Sequence, residues 1–172
     1  MPGSKNRFLV LIGGHLTHEL DLLDRKIIVC LQQDGRRTFA SVAAELHVAE
    51  STIRTRVNRL TGSGILKFFA DIDPYPLGLT YAHVMIRVRG THLRHAAKAL
   101  AAIPEILYVG MCTGSYDIVT DVVCRDNQHL LSLIQDDIRP IPGIEYLETF
   151  ITLDILKDAY GYEAVLLGPE SG

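Results

Sequence analysis

Residues 47–60 read HVAESTIRTRVNRL, and the spacing inside this stretch decides how the chain is read. Its apolar residues Ile53, Val57 and Leu60 recur at the i, i+4, i+7 spacing of one helical face, and the residues between them are polar. On a helical projection these three form a narrow stripe. Ser51, Thr55 and Asn58 lie opposite it, with Thr52, Arg54 and Arg59 flanking them. Arg56 falls at the edge of the stripe, where its aliphatic stem can pack. The segment carries three arginines against one acid, Glu50, in a chain of net charge −3. Short hydrogen-bonding side chains framed by guanidinium arms suit a nucleic-acid duplex. Small polar groups approach base edges and phosphates, and Arg forks onto guanine or a phosphate. The helix N-terminus adds a field that favours phosphate. The competing reading is a solvated face that carries charge for solubility. It is weakened because the face lacks the acid partners that i,i+4 pairs on a solvated helix normally use.

Upstream, Leu23, Ile27 and Leu31 mark an earlier helix with Cys30 beside them. Asp21 or Asp24 caps its start, and Asp34-Gly35 marks its stop. Thr38 caps a second short helix whose inner face is Val42, Ala43 and Leu46. His47-Val48 turns the chain into the third helix, which ends at Ser63-Gly64. Ala49 is a weak cap for that helix, costing about 1 kcal/mol relative to Ser. Three short helices over residues 20–64 make a trihelical unit. The third occupies the place of the groove-reading helix of a helix-turn-helix. Residues 65–72, ILKFFADI, alternate weakly as a strand, and Asp73-Pro74-Tyr75-Pro76 breaks it, so residues 65–79 form a strand and linker.

The second half alternates between periods. Tyr81–Arg89 is a strand with Ala82, Val84, Ile86 and Val88 on one face and His83, Met85, Arg87 and Arg89 on the other. Leu93–Ile103 is helical. Ile106–Thr113 and Ser115–Cys124 are strands joined at Gly114. Asn127–Ile138 is a second helix, and Ile144–Leu156 is a long last strand. The order β-α-β-β-α-β over residues 80–160 is that of ferredoxin-like domains, whose helices cover one sheet face and leave the other needing a partner. The fold class is therefore α+β. Residues 1–19 are an N-terminal extension, and residues 161–172 a polar tail that frays.

The charge is partitioned between these halves: residues 21–67 hold eight basic and five acidic side chains, residues 68–172 seven basic and fourteen acidic. The basic part suits a polyanion and the acidic part repels one. Cys30, Cys112 and Cys124 have no CxxC spacing and an odd count, so they read as core residues in a reducing cytosol. The run FLVLIGG (Phe8–Gly14) is at the short edge of a signal core and lacks a cleavage pattern. It reads as a strand or a packed extension. No stretch approaches a membrane span. His92 with His95, and His15 with His18, lack a completing Cys or carboxylate, so no metal is expected. There is no GxSxG, glycine-rich phosphate loop or HExxH, and adjacent Asp136 and Asp137 point apart on their helix, so no enzyme activity and no cofactor are expected.

Spaced motifs add a resemblance. LDLLDRKIIVCLQQDGRRTFASVAAEL, RVNRLTGSGIL, Asp73-Pro74 with Leu77-Gly78, and TGSYDIV (Thr113–Val119) follow one another as in the Lrp/AsnC family of transcriptional regulators, and the likeness runs from Leu20 to about Tyr160. The resemblance implies a winged helix-turn-helix joined to a RAM domain, pairing of the open sheet faces into dimers, and higher tetramers or octamers. It implies a cytoplasmic regulator of double-stranded DNA whose effector is an amino acid or related metabolite bound between RAM domains. Carried onto this chain, it assigns DNA contact to Ser51, Thr52, Arg54, Thr55, Asn58 and Arg59. It assigns effector contact to Gly114, Ser115, Tyr116 and Asp117, with Phe150, Ile151 and Thr152 nearby.

Three positions depart from the family pattern. Ser115 replaces the first loop Asp, leaving Asp117 to meet an effector's ammonium, and His47 and Ala49 stand where Gly and Ser are frequent. Gly-Ser-Tyr-Asp is also ordinary turn chemistry that a hairpin would use without any ligand. The rival class is an enzyme: the same architecture resembles sirohaem decarboxylases, which would cast His83 or His95 as tetrapyrrole contacts. The cationic face of the third helix argues against it.

Overall fold

The structure, a computed structural model, describes residues 8–12, 15–70, 72–157 and 161–168, with side chains from Leu20 onward. The described residues fall into two units. One runs to Ala70 and takes in residues 161–168; the other runs from residue 72 to Lys157.

The first unit opens with strands β1 (Phe8–Ile12) and β2 (His15–Leu20), an antiparallel pair. Helices α1 (Leu22–Gln33), α2 (Phe39–Glu45) and α3 (Glu50–Gly62) follow. Asp21 caps α1 by accepting from the Asp24 N–H, and Asp24 reaches back to the Asp21 N–H, a reciprocal capping box. Thr38 caps α2 through the Ser41 N–H at 3.1 Å. Between α2 and α3, His47 takes the left-handed conformation (φ +54°), the one non-glycine residue among those described to do so. At the end of α3, the Ile65 N–H bonds to Leu60 O and the Gly64 N–H to Thr61 O, with Gly64 at φ +75°, which completes a Schellman closure. Ile27, Val42, Ile53, Val57 and Leu60 are at most 3% exposed and form the shared core. Each such side chain contributes about 1.5–3 kcal/mol of burial.

The second unit contains β3 (Thr80–Val88), α4 (Leu93–Leu100), β4 (Ile106–Met111), β5 (Ile118–Cys124), α5 (Asn127–Ser132, running into a π-helical turn Leu133–Ile138) and β6 (Ile144–Ile151). The sheet order is β4-β5-β3-β6, antiparallel throughout. Alternation sends Ala82, Val84, Ile86 and Val88 to one face, where they pack with Ala96 and Leu100 of α4 and Leu130, Leu133 and Ile138 of the other helical segment. The opposite face carries Tyr108, Tyr146 and Phe150, each about half exposed.

Several expectations change. Residues 65–70 carry no strand: the Ile65 and Leu66 N–H groups are committed to Leu60 O. The predicted alternation is also broken where Phe68 and Phe69 both face solvent. The last strand stops at Ile151, opposite Ala82, and beyond it only the Thr152 N–H bonds to β3, at Tyr81 O. The β4–β5 connection spans residues 112–117, so Cys112 is an exposed loop residue and not a core one, whereas Cys30 and Cys124 are buried. Part of the tail forms α6 (Glu163–Leu166). It lies on α1, with Leu166 against the core, the Tyr162 N–H on Gln32, and Gln33 on Glu163. The His15 and His18 side chains, and Gly13-Gly14 of the signal-like run, lie outside the described residues.

Candidate DNA-reading helix and effector loop

Helix α3 has two faces, as its spacing predicts. Ile53, Val57 and Leu60 are buried; Ser51, Arg54, Thr55, Asn58 and Arg59 are exposed, and Thr52 is partly so. Ala49 occupies the cap position with extended backbone and no side-chain hydrogen bond, so the first N–H groups of the helix have no local acceptor from the cap side chain. Arg54 projects on the α2 side. Its Nη2 donates to Glu50 at 2.6 Å, and its guanidinium lies 5.3 Å from the Phe39 ring centroid. This ion pair corrects the expectation that the face lacks acid partners.

The opposite flank is tied to α1. Arg56 donates to Asp21 at 2.5 Å and to Asp24 at 3.0 Å, and Arg59 donates to Asp24. Burial alone would raise the Asp21 carboxyl, but the Arg56 hydrogen bond and the Asp24 N–H outweigh it and hold the group below its ordinary value. The Arg56 guanidinium is correspondingly raised, chiefly by its hydrogen bond to Asp21. Sequence reading placed Arg59 on the outer face and missed Asp24. The spacing of Asp21 and Asp24 signals only a cap, and a contact 35 residues away in sequence leaves no local mark.

In the second unit the loop 112–117 is stapled to the end of β3. Asp117 Oδ2 accepts from the Val88 N–H at 2.8 Å, and the Asp117 N–H donates to Ile86 O at 2.9 Å. Arg87 donates to Ser115 O at 3.0 Å, and Gly114 takes φ +126°. The Tyr116 hydroxyl donates to Glu148, and its ring stacks on Tyr146 with centroids 6.4 Å apart. A shallow cavity of about 580 Å³ beside the loop is lined by Leu93, Arg94, Met111, Cys112 and Thr113.

The other proposed effector residues lie elsewhere. Phe150 pairs opposite His83 and Ile151 opposite Ala82, and the Thr152 N–H bonds to Tyr81 O. Gly114–Asp117 sits by Ile86–Val88. Along β3 the two groups are therefore separated by about 15–20 Å. The β6 residues that do meet the loop, Tyr146 and Glu148, share the outer face by alternation with Phe150. Their register against β3 is what the sequence left open. Of the histidines considered, His83 pairs with Asp121 at 2.8 Å. Among the described residues no cluster of three or more His, Cys, Asp or Glu is disposed to hold a metal, and no helix is long and apolar enough to cross a membrane.

Comparison with known proteins bears on both parts. Residues 20–61 match a family model described as the AsnC-type helix-turn-helix domain, and residues 81–162 match the Lrp/AsnC ligand binding domain. An uncharacterized HTH-type transcriptional regulator of Pyrococcus abyssi is 37% identical over 149 residues, 86% of this chain and 93% of that protein. The HTH-type transcriptional regulator FL11 of Pyrococcus horikoshii is 37% identical over 141 residues, 81% of this chain and 93% of that protein. Among solved structures, AsnC of E. coli superposes with a TM-score of 0.72 at 27% identity, covering 82% of this chain and 97% of that one.

Proposed function

The chain belongs to the Lrp/AsnC family of HTH-type transcriptional regulators, and from that premise we propose that it reads duplex DNA with α3 under the control of a small-molecule effector. The observation that carries the DNA reading is the split of α3 into a sealed apolar stripe and an open polar face. In this reading Ser51, Thr52, Thr55 and Asn58 approach base edges and phosphates, while Arg54 and Arg59 contact the backbone or a guanine from the two flanks. A dimer presents two such helices to successive major grooves, with half-sites one helical turn apart or a multiple of it. The protein acts in the cytoplasm as a regulator and not as a catalyst. The tetrapyrrole alternative gains nothing from the relatives, which are named transcriptional regulators.

The effector is an amino acid or a related metabolite. Its site draws on Gly114, Ser115, Tyr116 and Asp117 of one copy and Phe150, Ile151 and Thr152 of another. The separation of the two groups within one chain supports a site completed by association. The open sheet face with Tyr108, Tyr146 and Phe150 supplies the dimer contact, and dimers assemble further into tetramers or octamers.

The test is fluorescence anisotropy with the full-length protein and a duplex selected from a random pool. Binding falls steeply with salt through counterion release, and Arg54→Ala and Asn58→Ala each bind more weakly at unchanged oligomer mass. Unaltered binding by both variants removes α3 as the reading element. Thermal-shift screening of the proteinogenic amino acids tests the effector half, with no stabilisation by any of them counting against it.

A further inference from the structure

Asp24 takes no part in the contacts proposed above, yet it is the one buried carboxylate among the described residues. Its Oδ1 accepts from Arg56, and its Oδ2 accepts from the Asp21 N–H and from Arg59. A reciprocal cap needs only one acceptor oxygen and is served equally well by a neutral Gln, so capping does not account for the two arginines drawn in from α3. Withdrawing a carboxylate from water is costly unless such donors surround it. The partners differ in exposure. The Arg56 side chain is 26% exposed and held by two acids, whereas the Arg59 side chain is 54% exposed and held at one edge by Asp24. The remaining N–H groups of Arg59 stand at the flank of the Ser51, Thr55 and Asn58 face.

We propose that Asp24 is a positioning and specificity residue for DNA binding: from beneath α3 it fixes the direction of Arg59 and offsets charge that Arg56 and Arg59 would otherwise present to any phosphate backbone. The proposal rests on the reading of α3 as the DNA-reading helix. A loose arginine follows whatever phosphate is near and strengthens binding to every sequence alike. An arginine locked at one edge offers its outer N–H groups in one geometry, so its contribution depends on where the phosphate or base lies. Asp24→Asn keeps the size and an acceptor for the cap but leaves one extra positive charge on this surface.

The experiment measures binding of the full-length Asp24→Asn protein to the selected duplex and to a scrambled duplex of equal composition, across a salt series. Affinity for the scrambled duplex is expected to rise and the selected-to-scrambled ratio to fall. The log–log salt slope steepens by about 0.9, which is a three- to fourfold larger loss of affinity between about 50 and 200 mM salt. Adding Arg56→Gln, at a position outside the proposed contacts, restores the charge balance, returning the slope and the scrambled-duplex affinity to wild type, while the ratio stays low because Arg59 is still not held. Equal weakening on both duplexes with an unchanged slope means that Asp24 only holds the fold, and overturns the proposal. If Asp24→Asn does not fold, Arg59→Lys carries the test: it keeps the charge and loses the fork, so the selected-to-scrambled ratio falls with the salt slope unchanged, and an unchanged ratio overturns the proposal. Asn58→Ala separates the two levels. Wild-type binding by both that variant and Arg54→Ala removes the α3 reading and this proposal with it. Weakened binding there beside an unaltered ratio in Asp24→Asn removes this proposal alone.

Discussion

Arg54 lies over Phe39, its guanidinium carbon 5.3 Å from the ring centroid, and so the first residue of α2 braces an arm of α3. Glu50 holds the same guanidinium at 2.6 Å from one turn earlier. An exposed cation–π contact contributes about 0.5–1 kcal/mol, and an exposed i,i+4 pair somewhat less. Neither immobilises the side chain, but together they aim it off the helix flank. Arg54→Ala is therefore expected to cost about 1–3 kcal/mol of affinity for the selected duplex. Phe39→Leu keeps the apolar packing, loses the ring, and lowers affinity by a smaller amount through Arg54 alone. Phe39→Leu should accordingly have no effect in an Arg54→Ala background. A full additional loss there would show that Phe39 acts through packing.

The cap of α3 is improvable. Ala49 already has the extended backbone of a cap residue (φ −70°, ψ 143°) but no side-chain acceptor. Ala49→Ser supplies one and should stabilise the first unit by about 1 kcal/mol. In a helix-turn-helix-sized unit that is a rise in Tm of about 4–8 °C, measurable by calorimetry. No rise would mean that another acceptor already serves the first N–H groups.

What the sequence made legible and what it hid divide by range. The stripe Ile53, Val57, Leu60 and the alternation of Ala82 through Val88 are local periodicities, and both were readable because each follows from the geometry of a single element. Asp21 and Asp24 were readable as a cap for the same reason. Their grip on Arg56 and Arg59 was not, since it joins two helices whose relative placement no local pattern states. The end of β6 was misjudged because ITLDIL continues to alternate after Ile151; the ladder to β3 closes at Ala82↔Ile151, and where two strands part is not stated by the pattern of either one. Register explains the effector residues in the same way. Phe150 and Tyr146 look equivalent in sequence, but only Tyr146 falls opposite Arg87 and meets Tyr116.

Gly143 sets a steric limit. Its φ is +93°, and a Cβ built there would collide with His92 at the root of that side chain, which cannot swing away. Its carbonyl accepts from the Arg89 N–H at 2.8 Å, tying the start of β6 to the end of β3. Gly143→Ala thus meets backbone strain and overlap together. It should destabilise the second unit by more than about 2 kcal/mol. Gly114→Ala meets φ strain alone, with open space around the new methyl, and should cost less. Urea denaturation of the two variants checks the order.

Tyr116 should be a late-titrating tyrosine. The hydrogen bond to Glu148 is the main reason its phenol sits above the ordinary value, with the Glu148 charge acting in the same direction. Because the folded state holds this proton more tightly than the unfolded state, the stabilisation is complete below the unfolded pKa, near 10, and is lost as pH rises through the higher folded value. Tyr116→Phe should remove one component from the high-pH end of the tyrosinate absorbance titration and flatten the stability decline in that window. Glu148→Gln removes the carboxylate that raises the phenol and should move the same component down. A titration unchanged in both variants would detach Tyr116 from Glu148.

Asp117 combines a structural and a proposed ligand role, and one variant cannot separate them. Its Oδ2 accepts from the Val88 N–H at 2.8 Å, so Asp117→Ala strands a backbone donor at the end of β3 and should cost about 1–3 kcal/mol of stability without any effector present. Loss of an effector-induced thermal shift in that variant would therefore be ambiguous. Asp117→Asn keeps an acceptor for Val88 and removes only the charge. If the carboxylate meets an effector's ammonium, Asp117→Asn should match wild type in apo stability within about 0.5 kcal/mol and lose most of the amino-acid-induced shift. Retention of the full shift would leave Asp117 as a fastener of the loop and move the search for a counter-charge to Glu148, the other carboxylate beside Tyr116.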